Sequence, residues 1–176
     1  MSEPNKIEHK KGSWRSYIAA SIAGALTLVQ LVAVFFLAVE AGNTALRILG
    51  WILWLISILF GILPIIIFRM KGGVSQGRSY VETTVLVEGG LYGVVRHPQY
   101  LAGILLNLAL ILISQHWLVV VLGLPAMVLM YVEIQKADHN EIEKFGDDYR
   151  VYMDHVPQIN FILGIFRQFQ RWKEKQ

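Results

Sequence analysis

The sequence predicts an all-α integral membrane protein with four transmembrane helices, the third and fourth forming a helical hairpin, followed by a cytosolic C-terminal helical segment. Three observations carry this expectation. Of 176 residues, 55% are hydrophobic and the mean hydropathy is +0.47. Only 16% are charged, against about 25% in ordinary soluble proteins. The apolar residues gather into four runs that hold essentially no ionisable side chain, and all but one of the 16 basic residues fall on one side of those runs.

The spans are expected at about 17–39, 48–68, 99–114 and 117–134. About 20 helical residues cross a hydrocarbon core roughly 30 Å thick, and the first two runs reach that length. Gln30 is the most polar member of the first. The third and fourth are shorter and are separated only by Ser114, Gln115 and His116, which favours a hairpin turning at the far face over one long helix. Pro64 and Pro125 lie inside spans, where neighbouring helices satisfy the freed carbonyls. Gln30 and Asn107 are expected to hydrogen-bond between helices.

Lys6, Lys10, Lys11 and Arg15 precede the first span. Arg69, Lys71, Arg78 and Arg96 lie between the second and third, and seven more, from Lys136 to Lys175, follow the fourth. Only Arg47 is left on the other side. By the positive-inside rule both termini are cytosolic. The charged leader precedes an apolar run too long for a signal peptide, so no cleavage is expected. The sequence reads as a single membrane-embedded domain over 1–176, without a separate soluble unit. It contains no cysteine, which excludes disulfides, thiolate metal sites and a cysteine nucleophile. Uncharged spans argue against a proton- or ion-coupled transporter, whose cargo needs a charged partner at membrane depth.

Any chemistry on water-soluble molecules is therefore expected in 69–96 and 135–176. Gly72, Gly73 and Gly77 break the chain after the second span. The following stretch, Thr83 to Tyr92, is β-prone and contains Gly89-Gly90; kept extended, it would offer backbone N–H and C=O groups to a ligand. Arg96-His97-Pro98-Gln99-Tyr100 comes next. Pro98 suits the first turn of a helix and holds His97 in a non-helical conformation. These residues alone also fit a plainer reading, with Arg96 snorkelling and Tyr92 and Tyr100 in an interfacial aromatic belt.

The fourth span is expected to continue as a helix beyond the membrane, with Gly146 as its C-cap. Glu133, Asp138 and Glu141 lie close to where it leaves the bilayer. Glu133–Lys136 and Glu141–Lys144 also have the spacing of ordinary helix-surface pairs. Tyr149, Tyr152 and Met153 follow at helical spacing. The segment from Ile159 to Phe166 is too short to span and is expected in the interface, with Arg167 and Trp172 near head groups.

Together these pieces resemble the isoprenylcysteine carboxyl methyltransferase family, including its prokaryotic relatives, and more distantly the phospholipid N-methyltransferases. Leu86-Val87-Glu88-Gly89-Gly90-Leu91-Tyr92 leading into Arg96-His97-Pro98-Gln99-Tyr100 carries the match, with the apolar hairpin after it and the acidic helix ending in Phe145-Gly146-Asp147-Asp148-Tyr149 and then Tyr152. It covers about 80–155.

The resemblance implies an S-adenosylmethionine-dependent methyltransferase with a cytosolic cofactor site and no Rossmann fold; no Gly-rich nucleotide fingerprint is present. By the same resemblance, the cofactor is contacted by Thr84, Val85, Leu86, Val87, Tyr92, His97, Pro98, Gln99 and Tyr100. The paired glutamates usual in the family fall on Ala137 and Asp138. Their role is carried to Asp138, with Glu141 as the alternative. An arginine that serves carboxylate substrates falls near Glu133, so the acceptor is expected to be a thiol, an amine or another small apolar nucleophile. His97, Glu133 and Asp138 are the catalytic candidates, with His139 a further possible base. The expected partners are a lipophilic or small-molecule methyl acceptor and membrane lipids, with no nucleic acid and no metal. A non-catalytic scaffold of the same fold is the alternative, and a small transporter a more remote one.

Overall fold

The computed structural model describes residues 15–73 and 83–174. Lys6, Lys10, Lys11, Gly77, Arg78 and Lys175 lie outside them. Within them the regular elements are all helices: α1 Arg15–Phe36, α2 Thr44–Lys71, α3 Pro98–Ser114, α4 Trp117–Phe145, α5 Asp147–His155 and α6 Phe161–Glu174. A 3-10 turn, Gly90–Gly93, sits between α2 and α3.

The all-α membrane class is as the sequence predicts, and the count of four spans is not confirmed. Three helices, α1, α2 and α4, are long and apolar enough to cross a membrane. Helix α3 has 17 residues, or about 26 Å at 1.5 Å per residue, the short end of the range that crosses a core of roughly 30 Å. It is the inner helix of the bundle. Helix α2 packs along it most extensively, α4 packs on another side, and α1 packs mainly on α4. Leu101, Leu105, Ala109 and Leu110 are buried on it, whereas Phe35, Phe36, Leu55, Leu59, Val121 and Val128 on the other helices are exposed and form an apolar surface suited to lipid.

Small and polar residues fasten the bundle, as expected where apolar burial gives no preference for protein over lipid. A side chain at Gly50 would meet Ile113 Cγ1 at 2.8 Å and the Ala109 carbonyl at 3.0 Å, so α2 and α3 approach closely there. The Gln30 amide donates to the carbonyls of Asn107 (3.2 Å) and Val119 (3.1 Å), joining α1 to α3 and α4. Asn107 Nδ2 donates to Thr27 Oγ1 at 3.0 Å. Both polar residues thus act as the sequence suggests.

At one end of the bundle, Gln115 takes a left-handed conformation (φ 55°) and His116 caps α4 by accepting from the Leu118 amide. Gln115 exchanges two hydrogen bonds of 2.7 Å with the Asn43 backbone, and Arg47 donates to the Val39 carbonyl. The ends of α2 and α4 and the start of α3 lie at the other end, where the remaining loops gather.

Helix α4 runs without interruption through Pro125 and beyond its apolar part, which ends at Val132. Gly146, at φ +61°, stops it in a region disfavoured for residues with a Cβ, and its N–H closes on Ile142 O. Helix α5 turns Tyr149 and Tyr152 inward. Helix α6 is amphipathic: Ile162, Ile165, Phe166, Phe169 and Trp172 are exposed alongside Arg167, Arg171 and Lys173, the pattern of an interfacial helix. Its Gly164 lies so close to the loop before α3 that an added Cβ would overlap the Val94 carbonyl.

Candidate active site

The β-prone segment forms no strand, because no neighbouring extended segment is present among the described residues to pair with it. Residues 83–89 are irregular and then enter the 3-10 turn, where Gly90 has φ +65°. The amides of Thr84 and Val85 both donate to the Gly72 carbonyl (2.9 and 3.3 Å), so they are engaged rather than offered to a ligand. Those of Leu86 and Val87 make no backbone hydrogen bond among the described residues.

Past the turn, Arg96 N–H donates to Pro157 O and His97 N–H to Gln158 O, which pins the loop against the connector between α5 and α6. Pro98 opens α3 at its first helical position, leaving His97 at φ −121°, ψ 63° as the N-cap residue. The plainer reading of Arg96 as a snorkelling side chain is overturned: it is 8% exposed and its guanidinium lies 3.3 Å from Asp138 Oδ2. Its Nε and Nη1 are buried without a hydrogen-bond partner among the described residues.

Asp138 is where four segments meet. Its Oδ1 accepts from Tyr149 OH (2.6 Å) and stands 2.6 Å from His97 Nε2. Its Oδ2 accepts from Gln158 Nε2 (2.7 Å) and faces Arg96. Burial works against ionisation of this carboxyl, but the hydrogen bonds from His97, Tyr149 and Gln158 outweigh it, holding it at about 2. Burial, followed by the bond to Asp138, pushes the Tyr149 phenol well above its ordinary value. Burial does the same to Tyr152, partly offset by Arg96. Tyr152 OH donates to Tyr92 O at 2.6 Å.

In front of this cluster lies a cavity of about 470 Å³. The loop contributes Leu86, Val87, Tyr92 and His97, the start of α3 contributes Pro98, Gln99 and Tyr100, and α4 contributes Ala137, Glu141 and Phe145. Phe68, in the last turns of α2, stacks on Tyr92 with ring centroids 4.6 Å apart. Val85 also lines the cavity, whereas the Thr84 hydroxyl is spent on Gly73 O. Burial raises the Glu141 carboxyl, partly offset by Lys144.

The two segments singled out from sequence therefore converge, but their acidic residues separate. Glu141 lines the cavity, while Asp138 stands behind its wall with both oxygens occupied. Glu133 is buried off the cavity and paired with Lys136. The expected Glu141–Lys144 pair is replaced: Lys144 donates to Thr83 Oγ1 at 3.0 Å and lies over the Phe145 ring. His139 is 74% exposed beside Glu143, away from the cavity. Sequence reasoning did not assign Phe68, Arg96 or Gln158 to the site; Phe145, Tyr149 and Tyr152 stood in the quoted motif without a role.

A helical bundle with a lipid-exposed girdle and a cavity at one end defines an integral membrane protein with a site for a small molecule. The phospholipid methyltransferase family model matches residues 45–144, more than half of the chain. The chain belongs to that family, within the superfamily that also holds the isoprenylcysteine methyltransferases, and is a membrane protein of methyltransferase type. The match begins in α2 and ends one residue before α4 does, so α5, with Tyr149 and Tyr152, lies outside it. No curated protein and no solved structure gives a significant match.

Proposed function

We propose that the protein transfers a methyl group from S-adenosylmethionine to a lipophilic or small acceptor presented at the membrane. The observation that carries this reading is the cavity formed by 85–100 and the polar end of α4, beside a lipid-exposed bundle. Its volume lies in the range of about 300–1,000 Å³ usual for small-molecule sites. The lining suits this donor chemically. Phe68, Tyr92 and Phe145 offer flat apolar walls for a purine, the Leu86 and Val87 amides suit its polar edge, and Glu141 suits a cationic or hydroxyl-bearing group.

When bound, the donor supplies an electrophilic methyl group. The protein's share is positioning and exclusion of water, and holding two reactants in register is worth on the order of 7–11 kcal/mol. The lipid-facing helices let an apolar acceptor arrive from the bilayer. The distribution of basic residues supports a cytosolic site and cytosolic termini. Asp138 acts by orienting His97, Tyr149 and Gln158, since its own oxygens are already bonded. Glu133 stands where the resemblance places an arginine for carboxylate substrates, which supports an acceptor that is not anionic; its own charge is paired with Lys136 off the cavity.

Equilibrium binding of labelled S-adenosylmethionine to the full chain in lipid nanodiscs tests the reading. Glu141→Gln is expected to weaken binding on the order of tenfold, about 1.4 kcal/mol. Glu143→Gln, on an exposed residue away from the cavity, is expected to leave it unchanged. Absence of binding by the unsubstituted protein refutes the donor assignment. Methylation assays with a prenylcysteine acid, an amine and a thiol then test the acceptor, and clear preference for the acid refutes that part.

A further inference from the structure

We infer that His97 is the proton acceptor of the site and that Asp138 is the positioning residue which fixes its tautomer, an arrangement that serves the protic acceptor already proposed. This deepens the methyl-transfer reading and rests on it. Asp138 is surrounded by donors: the Tyr149 hydroxyl, the Gln158 amide and the Arg96 guanidinium. The fourth neighbour, His97 Nε2 at 2.6 Å, is consequently the donor in that contact too. A neutral imidazole with its proton on Nε2 carries a lone pair on Nδ1. His97 Nδ1 has no hydrogen-bond partner among the described residues, and the ring lines the cavity.

The other candidate bases are placed elsewhere. His139 is exposed beside Glu143, and Glu133 is paired with Lys136 off the cavity. The ionisable groups facing His97 are Asp138 and Glu141 from α4, Arg96 from its own loop, Tyr100 from α3 and, through Asp138, Tyr149 from α5.

In the transfer, the acceptor's lone pair forms the bond to the methyl carbon. The bond from that carbon to the donor sulfur breaks, and its electron pair stays on sulfur. The acceptor's proton passes to His97 Nδ1, and the imidazolium so formed faces the Asp138 carboxylate until the proton is lost to water. A carboxylate acceptor has no proton to give and would gain nothing from this arrangement. An amine, protonated in neutral water, or a thiol gains directly.

Nitrogen NMR of the full chain labelled with ¹⁵N-histidine, in nanodiscs and without donor, tests the inference independently of turnover. The His97 signals, assigned by their disappearance in His97→Gln, are expected to show Nε2 protonated and Nδ1 bare. Asp138→Asn is expected to shift the ring toward the Nδ1-protonated form. A neutral wild-type His97 with its proton on Nδ1, or a tautomer indifferent to Asp138→Asn, overturns the inference. In turnover, His97→Gln is expected to lower kcat by about 10²-fold or more, with a smaller change in donor affinity. Equal losses in both, or preference of the wild type for a carboxylate acceptor, also overturn it. Failure of the methyl-transfer reading shows differently, as a wild-type protein without affinity for S-adenosylmethionine.

Discussion

Replacing Asp138 by Asn keeps the shape of the side chain and removes its charge. Asp138 is 6% exposed and receives His97, Tyr149 and Gln158 at 2.6 to 2.7 Å. Its carboxyl is held at about 2 against an ordinary 3.8. A depression of nearly two units, at 1.36 kcal/mol each, corresponds to about 2 kcal/mol of folding free energy. Removing one partner of a buried charged pair commonly costs about 3–5 kcal/mol, which sets an upper bound, because Arg96 is left without its counter-charge. The folded-state value lies below the unfolded one. The contribution is therefore complete above about pH 4 and is lost as pH falls through about 2. Unfolding of wild type and Asp138→Asn in the same detergent, at neutral pH and in steps down to pH 2, measures the difference between them. The expected result is a gap of about 2 kcal/mol at neutral pH that narrows below pH 4. Other carboxylates titrate in both proteins and cancel. A gap independent of pH, or none at neutral pH, would show that the carboxylate does not carry the charge-dependent role given to it.

Further outcomes follow from the same geometry. Tyr152→Phe removes the bond to Tyr92 O and is expected to destabilise by about 1 kcal/mol in the same unfolding assay. Tyr149 and Tyr152 ionise above the ordinary tyrosine value of 10.0, so tyrosinate absorbance is expected to show them still protonated after exposed tyrosines have titrated. Folding stability should then fall as pH rises past 10, since the unfolded phenols ionise first. Gln30→Leu removes two interhelical bonds, each worth about 0.6 kcal/mol in membrane bundles, so a loss near 1 kcal/mol is expected. A loss above 3 kcal/mol would mean that Gln30 does more than join helices. Gly164→Ala is expected to move α6 away from Val94, seen as faster proteolysis or hydrogen exchange in 161–174, with the transmembrane helices unaffected.

The helices were legible where local physics decides them. Apolar runs located α1, α2 and α4, Pro98 marked the start of α3, and Gly146 the end of α4. The length of α3 was harder to read, because an inner helix is enclosed by other helices and its apolarity says little about how much bilayer it crosses. The convergence of the loop with the polar end of α4 followed from the motif order and the family resemblance. The identity of the residue across the contact did not. Arg96 looks like any interfacial arginine until Asp138, far along the chain, is placed against it. Gln158 carries no local signal, since its role depends entirely on where the connector between α5 and α6 runs. Asp138 and Glu141 lie within one turn of each other, and only the rotation of α4 decides which of them faces the cavity.

The rim of the cavity is held unequally. From Tyr92 to His97 it is tied down by Tyr152, by Arg171 on the Gly93 carbonyl, by the seat of Gly164 on Val94 and by two backbone bonds to the 157–158 connector. Residues 83–88 make fewer hydrogen bonds among the described residues, to Gly72, Gly73 and Lys144, and are otherwise seated by the packing of Leu86 against Tyr149 and Tyr152. Molecules exchanging from the aqueous side thus meet one jamb fastened by hydrogen bonds and one seated mainly by side-chain packing, and His97 belongs to the fastened side.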